Sequence, residues 1–253
     1  MAISVCRMKL DSAWAGPSWI CRLSLCLSAS WIFISISILE ERDDVSACFT
    51  EDICSIDAKT AAESVCIDFT TPEAFRNNYR FIADNFKAAV VGTTGWNEIR
   101  EEVTDYFRKR GKTLIYASNF SIGVNVLFEI AGMTASLLSS LGEYDSYITE
   151  FHHKFKLDSP SGTAVTLKEI VESETGKETA VQSVRCGHIP GIHNLGFESA
   201  DDRLLLSHEA FSRKGFANGA VMAAYWTLER DGVFDFRTII RERLHKILNN
   251  END

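Results

Sequence analysis

Residues 150–164, EFHHKFKLDSPSGTA, gather two histidines, two lysines and a Ser-Gly-Thr turn within fifteen positions. Imidazole and ammonium groups so placed can donate protons, stabilise developing negative charge and hold carboxylates. Ser161, Gly162 and Thr163 open a segment of helical pattern, residues 164–171, so backbone N–H groups near Gly162 and Thr163 point outward at a helix N-terminus. Such a terminus binds carboxylates or phosphates. Upstream, residues 147–152 are β-rich and roughly alternating, which delivers His152 and His153 from a strand end into a loop facing that helix start. A small dianion fits there.

Other readings of the same residues compete. Adjacent histidines on a strand point to opposite faces, so only one faces a given site unless the strand has ended. Lys156, four residues after His152, has the solvated role that most lysines have as its alternative. Zinc is disfavoured, because no third ligand follows at a usual spacing and Lys154 and Lys156 repel a cation.

The elements that must position these groups alternate. Residues 64–69 and 88–91 read as apolar strands, 72–85 and 98–110 as helices, and 114–116 as a third strand. That order predicts a parallel sheet with ligands beyond the carboxyl ends of its strands. Residues 92–95, GTTG, and 117–120, ASNF, sit at two such ends, with a plain turn as their alternative. Further on, a helix over 125–141, the strand 147–152, a helix over 161–174, strands over 181–185, 192–198 and 203–208, and a helix over 218–230 are expected. His193 and His208 fall in those later strands, where a structural role is expected of them.

Five ordered segments carry a resemblance: 65–73 (VCIDFTTPE), 90–96 (VVGTTGW), 117–125 (ASNFSIGVN), 152–164 (HHKFKLDSPSGTA) and 211–220 (FSRKGFANGA). Together they resemble the dihydrodipicolinate reductase family, also called 4-hydroxy-tetrahydrodipicolinate reductases, from residue 65 onward. The resemblance implies an α/β chain with an N-terminal Rossmann-like dinucleotide-binding domain over 1–120 and 214–253. A C-terminal α+β domain with a mixed sheet, over 121–213, would bind substrate and form the contacts of a homotetramer. Arg213 and Phe216 would lie near the junction.

The activity implied is reduction of 4-hydroxy-tetrahydrodipicolinate to tetrahydrodipicolinate by NADH or NADPH in lysine and diaminopimelate biosynthesis. Hydride would go to C4 of the cyclic dicarboxylate, with loss of the 4-hydroxyl as water and proton delivery to the neighbouring carbon. His152 and Lys156 match the family's catalytic pair, either of which could give the proton. His153, Gly162 and Thr163 would hold the substrate carboxylates. Gly92, Thr93, Thr94, Ala117, Asn119 and Phe120 would contact the cofactor, and no metal is expected.

Length and composition are compatible with that resemblance. The net charge of -9 argues against a nucleic-acid surface, so an anionic ligand needs the local positive island that His152, His153, Lys154 and Lys156 supply. Seven cysteines without a C-x-x-C or a regular framework suit a reduced, cytoplasmic protein.

The first 57 residues do not fit the pattern. A dinucleotide-binding domain opens with a strand and G-x-G-x-x-G, whose glycines let the backbone approach the pyrophosphate. Here residues 1–57 hold five of the seven cysteines, three of the five tryptophans, ten serines and one glycine, Gly16. Residues 19–39 form a 21-residue apolar run broken by Arg22 and five serines, long enough for a membrane anchor or signal region. Ile32, Ile34, Ile36 and Ile38 instead alternate like a strand, and no membrane partner is expected.

A shifted reading frame accounts for this composition. Tryptophan's codon, TGG, read one base later becomes GGN, always glycine, and Trp14 and Trp19 are five positions apart, the spacing of the fingerprint's first and third glycines. Just before them, residues 8–10, MKL, look like the beginning of the family's first strand. The first βαβ unit is thus expected to be degenerate or out of frame. Two alternatives to the active enzyme follow: an inactive homologue that binds the dicarboxylate but not the cofactor, and a membrane-anchored variant.

Overall fold

The computed structural model describes residues 5–9, 45–49, 53 and 56–249. The fingerprint region and the whole of the 19–39 run therefore lie outside the described residues. Two compact units are present, one made of residues 1–120 and 216–253, the other of 121–215.

In the first unit, strands β1 (Val5–Lys9), β2 (Val45–Phe49), β3 (Ser64–Asp68), β4 (Ala88–Val91), β5 (Thr113–Tyr116) and β10 (Val233–Asp235) form one sheet. Their order is β10-β5-β4-β3-β1-β2. β3, β4, β5 and β10 are parallel, and in register Asp68, Val91, Tyr116 and Asp235 form one row at their carboxyl ends. β3 and β4 are buried at every position, as expected of parallel strands covered on both faces.

The helices of this unit follow from capping and from the spacing of apolar residues. α2 (Pro72–Asn85) starts where the Thr71 hydroxyl accepts from Ala74 N, with Pro72 in the first turn. It buries Phe75, Tyr79, Ile82 and Ala83 at helical spacing. These pack with Phe86, Phe107 of α3 (Arg100–Lys109) and Leu114 in one core. A short α1 (Ala58–Ala62) precedes β3, and a single 3-10 turn over Asn97–Ile99 leads into α3.

β1 departs from expectation. It pairs antiparallel with β3, Val5 opposite Asp68 and Lys9 opposite Ser64, whereas the first strand of a dinucleotide-binding unit runs parallel to its neighbours. Either direction completes the hydrogen-bond ladder of β3, and β2 then pairs antiparallel on the far side of β1. The chain leaves β1 at the edge opposite Asp68. The strand also ends at Lys9, just where the motif-based reading has one beginning at Met8.

The second unit packs α4 (Ile122–Leu141) and α5 (Gly162–Thr175) on a four-stranded sheet of order β7-β6-β8-β9. Its strands are β6 (Asp145–His152), β7 (Ala180–Arg185), β8 (Ile192–Glu198) and β9 (Arg203–Glu209). β6 pairs parallel with β7 and antiparallel with β8, which makes the sheet mixed. Val124, Leu127, Phe128 and Ala131 of α4 meet Leu167 and Val171 of α5 and Ile148, Leu195 and Phe197 of the sheet.

α6 (Lys214–Trp226) starts four residues before the expected position and stops earlier, where the Thr227 hydroxyl donates back to the Ala224 carbonyl. β10 and α7 (Phe236–Leu248) went unpredicted; the Asp235 carboxylate caps α7 by accepting from Arg237 N, at 2.9 Å. Phe236 packs on Phe120 and stacks on Trp226, with centroids 4.9 and 5.5 Å apart.

Gly219 allows α6 to approach the backbone at Phe120: a Cβ there would lie 1.8 Å from the Phe120 carbonyl oxygen. Gly219→Ala is expected to cost about 1–3 kcal/mol through overpacking. Thermal melts should show Tm lowered by roughly 2–4 °C for each kcal/mol lost.

Candidate active site

In the second unit β6 brings Ile148, Glu150 and His152 to the helix-covered face by its period of two. β6 ends at His152, so His153 begins a loop and the two rings need not point to opposite faces. Cross-strand register then extends the polar row: Ser183 of β7 faces Glu150, Glu150 faces His193 of β8, and His193 faces His208 of β9.

Glu150 is fully buried. Its Oε1 accepts from Arg185 Nη2 at 2.7 Å and from the Ser161 backbone N at 3.3 Å. Its Oε2 is hydrogen-bonded to His152 Nδ1. Burial alone would raise this carboxyl, but the bonds from Arg185, Ser183 and His152 outweigh it and bring it down to about 2. Burial pushes His152 down, with Lys156 and Arg185 acting the same way and Glu150 opposing.

The turn before α5 is anchored from the same carboxylate. Ser161, buried, caps the helix by accepting from Ala164 N at 3.2 Å, and its Oγ pairs with His193 Nε2 at 3.0 Å. The helix N-terminus is already in use by an anion. Asp158 accepts from the Gly162 backbone N–H, and its carboxylate lies 2.7 Å from Lys156 Nζ. Burial opposes ionisation of Asp158, yet Lys156 and these backbone bonds hold its carboxyl below the usual value. Lys156 is therefore not a solvated lysine; its side chain is only 15% exposed.

Of the residues expected here, His152 is buried, His153, Lys156 and Thr163 are half-buried, and Gly162 is exposed on the first turn of α5. His153 is pushed down by burial and by the positive charges of Arg213, Lys156 and Arg185 around it. Arg213 thus belongs to the positive island beside His153, a place sequence spacing did not reveal. Arg185, opposite His152 on β7, was also missed. The signal that marks Glu150 is an acidic residue two positions before His152 on one strand face.

Glu150, His152 and His193 have ligand-type atoms within 4.8 Å of one another. His193 supplies from β8 the third group that linear spacing could not show. The guanidinium of Arg185 on Glu150 makes this a hydrogen-bond network, not a cation site.

In the first unit, the expected cofactor residues follow the carboxyl ends of β4 and β5. Gly92 N donates to the Asp68 carbonyl at 2.8 Å and Ala117 N to the Val91 carbonyl at 3.1 Å, so both loops leave the sheet in register. Asp68, fully buried, clamps two loops: its Oδ1 accepts from Thr93 Oγ1 at 2.5 Å and from Thr70 N at 3.0 Å. Trp96 Nε1 donates to the Thr93 carbonyl and pins the same loop. Thr94 stays exposed, Asn119 and Gly92 half-buried, and Thr93, Ala117 and Phe120 are buried.

Asp68 Oδ2 is buried at this edge without a hydrogen-bond partner, and burial pushes the Asp68 carboxyl up. A ligand donor would satisfy it, so these loops fit the nicotinamide half of a dinucleotide. β1 does not fit the pyrophosphate half, because its carboxyl end lies beside Ser64, away from Asp68.

His193, buried and close to His152 and His208, is pushed down to about 3, burial being the largest cause. On unfolding it returns to its ordinary value near 6.5, so its stabilising effect is full above pH 6.5 and is lost as pH falls toward 3. Glu150, at about 2 against 4.5, adds a loss in the same direction below pH 4.5. Melts of the wild-type chain should lose Tm steadily below pH 6.5. His193→Gln should flatten the slope between pH 6.5 and 4.5, and an unchanged slope would refute the assignment.

Residues 30–120 match the family model described as Dihydrodipicolinate reductase, N-terminus, and residues 123–240 its C-terminus. The match begins ahead of residue 65, and residues 1–29, with Trp14, Gly16 and Trp19, lie outside it. The 4-hydroxy-tetrahydrodipicolinate reductase of Christiangramia forsetii is 35% identical over 204 residues, covering 76% of this chain and 85% of the relative. That of Pseudoalteromonas atlantica is 34% identical over 197 residues, covering 70% and 73%. Among solved structures, a dipicolinate-bound dihydrodipicolinate reductase from a Paenisporosarcina species aligns with TM-score 0.65 at 20% identity, covering 80% of this chain and 92% of its own. An amine dehydrogenase from Mycobacterium smegmatis shares the fold at TM-score 0.51 and 10% identity, covering 79% and 82%. By its motifs, its matched length and its fold, the chain belongs to the dihydrodipicolinate reductase family.

Proposed function

We propose that the chain reduces 4-hydroxy-tetrahydrodipicolinate to tetrahydrodipicolinate with NADH or NADPH, a step of lysine and diaminopimelate biosynthesis. The observation that carries this reading is the carboxylate of Asp158 on Lys156 and the α5 N-terminus, an internal model of how a substrate carboxylate is held.

Gly92, Thr93, Thr94, Ala117, Asn119 and Phe120 would hold the nicotinamide half of the cofactor, which when bound supplies the hydride. In the second unit, His153 and the first-turn amides of Gly162 and Thr163 bind the dicarboxylate. His152 and Lys156 form the acid pair: one gives a proton to the carbon next to the reduced centre while the other stabilises charge. Residues 1–120 and 214–253 serve as the cofactor domain and 121–213 as the substrate and assembly domain in this reading. Free thiols at Cys66 and Cys186 suit a cytoplasmic enzyme.

Loss of nicotinamide absorbance with substrate present tests the activity, and quenching of NADH or NADPH fluorescence tests binding separately. His152→Gln and Lys156→Ala should each lower kcat, by roughly 10²–10⁴-fold for the residue that gives the proton. His153→Ala should chiefly weaken binding of dipicolinate. Dinucleotide bound without turnover by the wild-type chain would refute the reading.

The same reading gives a homotetramer. α4 and α5 cover one face of the second sheet, while Tyr147, Thr149 and Phe151 alternate onto the other, joined by Val184 and Leu205, which are 40% and 48% exposed. Burying that face against other copies removes apolar surface from water. Light scattering should give the mass of four chains, and Leu205→Glu should give a smaller species.

A further inference from the structure

The two oxygens of Glu150 are not equivalent. Oε1 takes two donors that cannot accept, the Arg185 guanidinium and the Ser161 backbone N–H, and the Ser183 hydroxyl, which can donate or accept, also bonds the carboxylate. Oε2 is left for His152 Nδ1. An ionised carboxylate accepts only, so His152 must carry a hydrogen on Nδ1 in both its neutral and its protonated forms. Its other nitrogen, Nε2, faces Gly191, where a Cβ would come within 3.0 Å; glycine keeps that side of the ring open.

We infer that Glu150, aligned by Arg185, is a positioning residue that fixes the tautomer of His152 and makes Nε2 the nitrogen through which the proton is exchanged. The inference rests on the reductase reading for its catalytic consequence, though not for the tautomer itself. Arg185 also donates to the Asp158 carbonyl at 2.7 Å, so one guanidinium aligns the carboxylate and ties down the loop that carries Lys156. Charges facing His152 come from Glu150 on its own strand, Arg185 on β7, His193 on β8 and Lys156 in the loop; only Glu150 favours the protonated ring.

The replacement Glu150→Gln makes a determinate prediction. Arg185 and Ser161 are donors and require the amide oxygen on their side, which turns the amide NH₂ toward His152 Nδ1. Nδ1 must then accept, and the neutral ring carries its hydrogen on Nε2. With ¹⁵N-histidine in the full chain at pH 8, and His152 assigned through His152→Gln, long-range ¹H–¹⁵N spectra should show Nδ1–H in the wild type and Nε2–H in Glu150→Gln. kcat should fall on the order of 10²–10⁴-fold, as for a base held in the wrong tautomer, while KM for the dicarboxylate changes little. The fall of kcat with rising pH should move to lower pH, because the one group favouring protonated His152 has been neutralised. Glu150→Asp, which keeps an acceptor-only group, should retain Nδ1–H and recover part of kcat, and it serves if the glutamine variant does not fold.

A wild-type ring protonated at Nε2, or a tautomer unchanged in Glu150→Gln, overturns the inference. Equal losses of kcat in the glutamine and aspartate variants, with no pH shift, overturn it as well. A wild-type chain without turnover overturns the reductase reading alone, because the spectra still decide the tautomer.

Discussion

The carboxylate of Glu150 has no exposed surface, yet it is the group on which three segments converge: β7 through Arg185, the cap of α5 through the Ser161 amide, and the end of β6 through His152. A buried charge is costly unless every lone pair is answered, and here the answering donors come from parts of the chain 11 and 35 residues away. The cost of leaving any of them out ties the strand, the loop and the helix start into one arrangement. The Ser161–His193 pair extends the arrangement to β8. The stability of the second unit and the placement of the His152 ring therefore have a common origin.

The cofactor half repeats the device in a smaller form. Asp68 at the end of β3 holds Thr70 and Thr93, and so keeps two loops at the carboxyl edge of the parallel strands. Gly219 lets α6 press against the backbone at Phe120, and Phe236 and Trp226 fill the space around that ring. In both units a buried acid in the carboxyl-terminal part of a strand organises the loops that follow, to which the proposed function assigns the chemistry.

Much of this was legible in the sequence. Apolar runs and helical spacing marked β3, α2, β4 and β8 within a residue or so, because the helix pattern from Pro72 and the uninterrupted strands are local signals. The start of α5 was readable from Ser161, Gly162 and Thr163. Arg185 and Arg213 were not, because their roles come from strand pairing and chain return, which leave no local pattern. His193 lay in a predicted strand, but its contact with Ser161 depends on the register of β8 against β6. The last strand and helix were missed although Gly232, with φ +125°, and the capping Asp235 both mark a turn and a start. The antiparallel direction of β1 could not be read from five residues, since strand direction is decided by connections and not by composition.

The contact of Asp158 with Lys156 and the Gly162 amide has a consequence for selectivity. In the proposed reading, a substrate carboxylate entering there would trade places with a tethered carboxylate, so the local charge balance would be nearly the same before and after. What the site measures is then the difference between two carboxylates, one held by the chain at high effective concentration and one free in solution. A monocarboxylate offers little to win that competition. On the same reading, a dicarboxylate would bring a second anionic group for His153 and its neighbouring cations, and discrimination would follow from the exchange itself, in a protein whose overall charge of -9 would otherwise repel both.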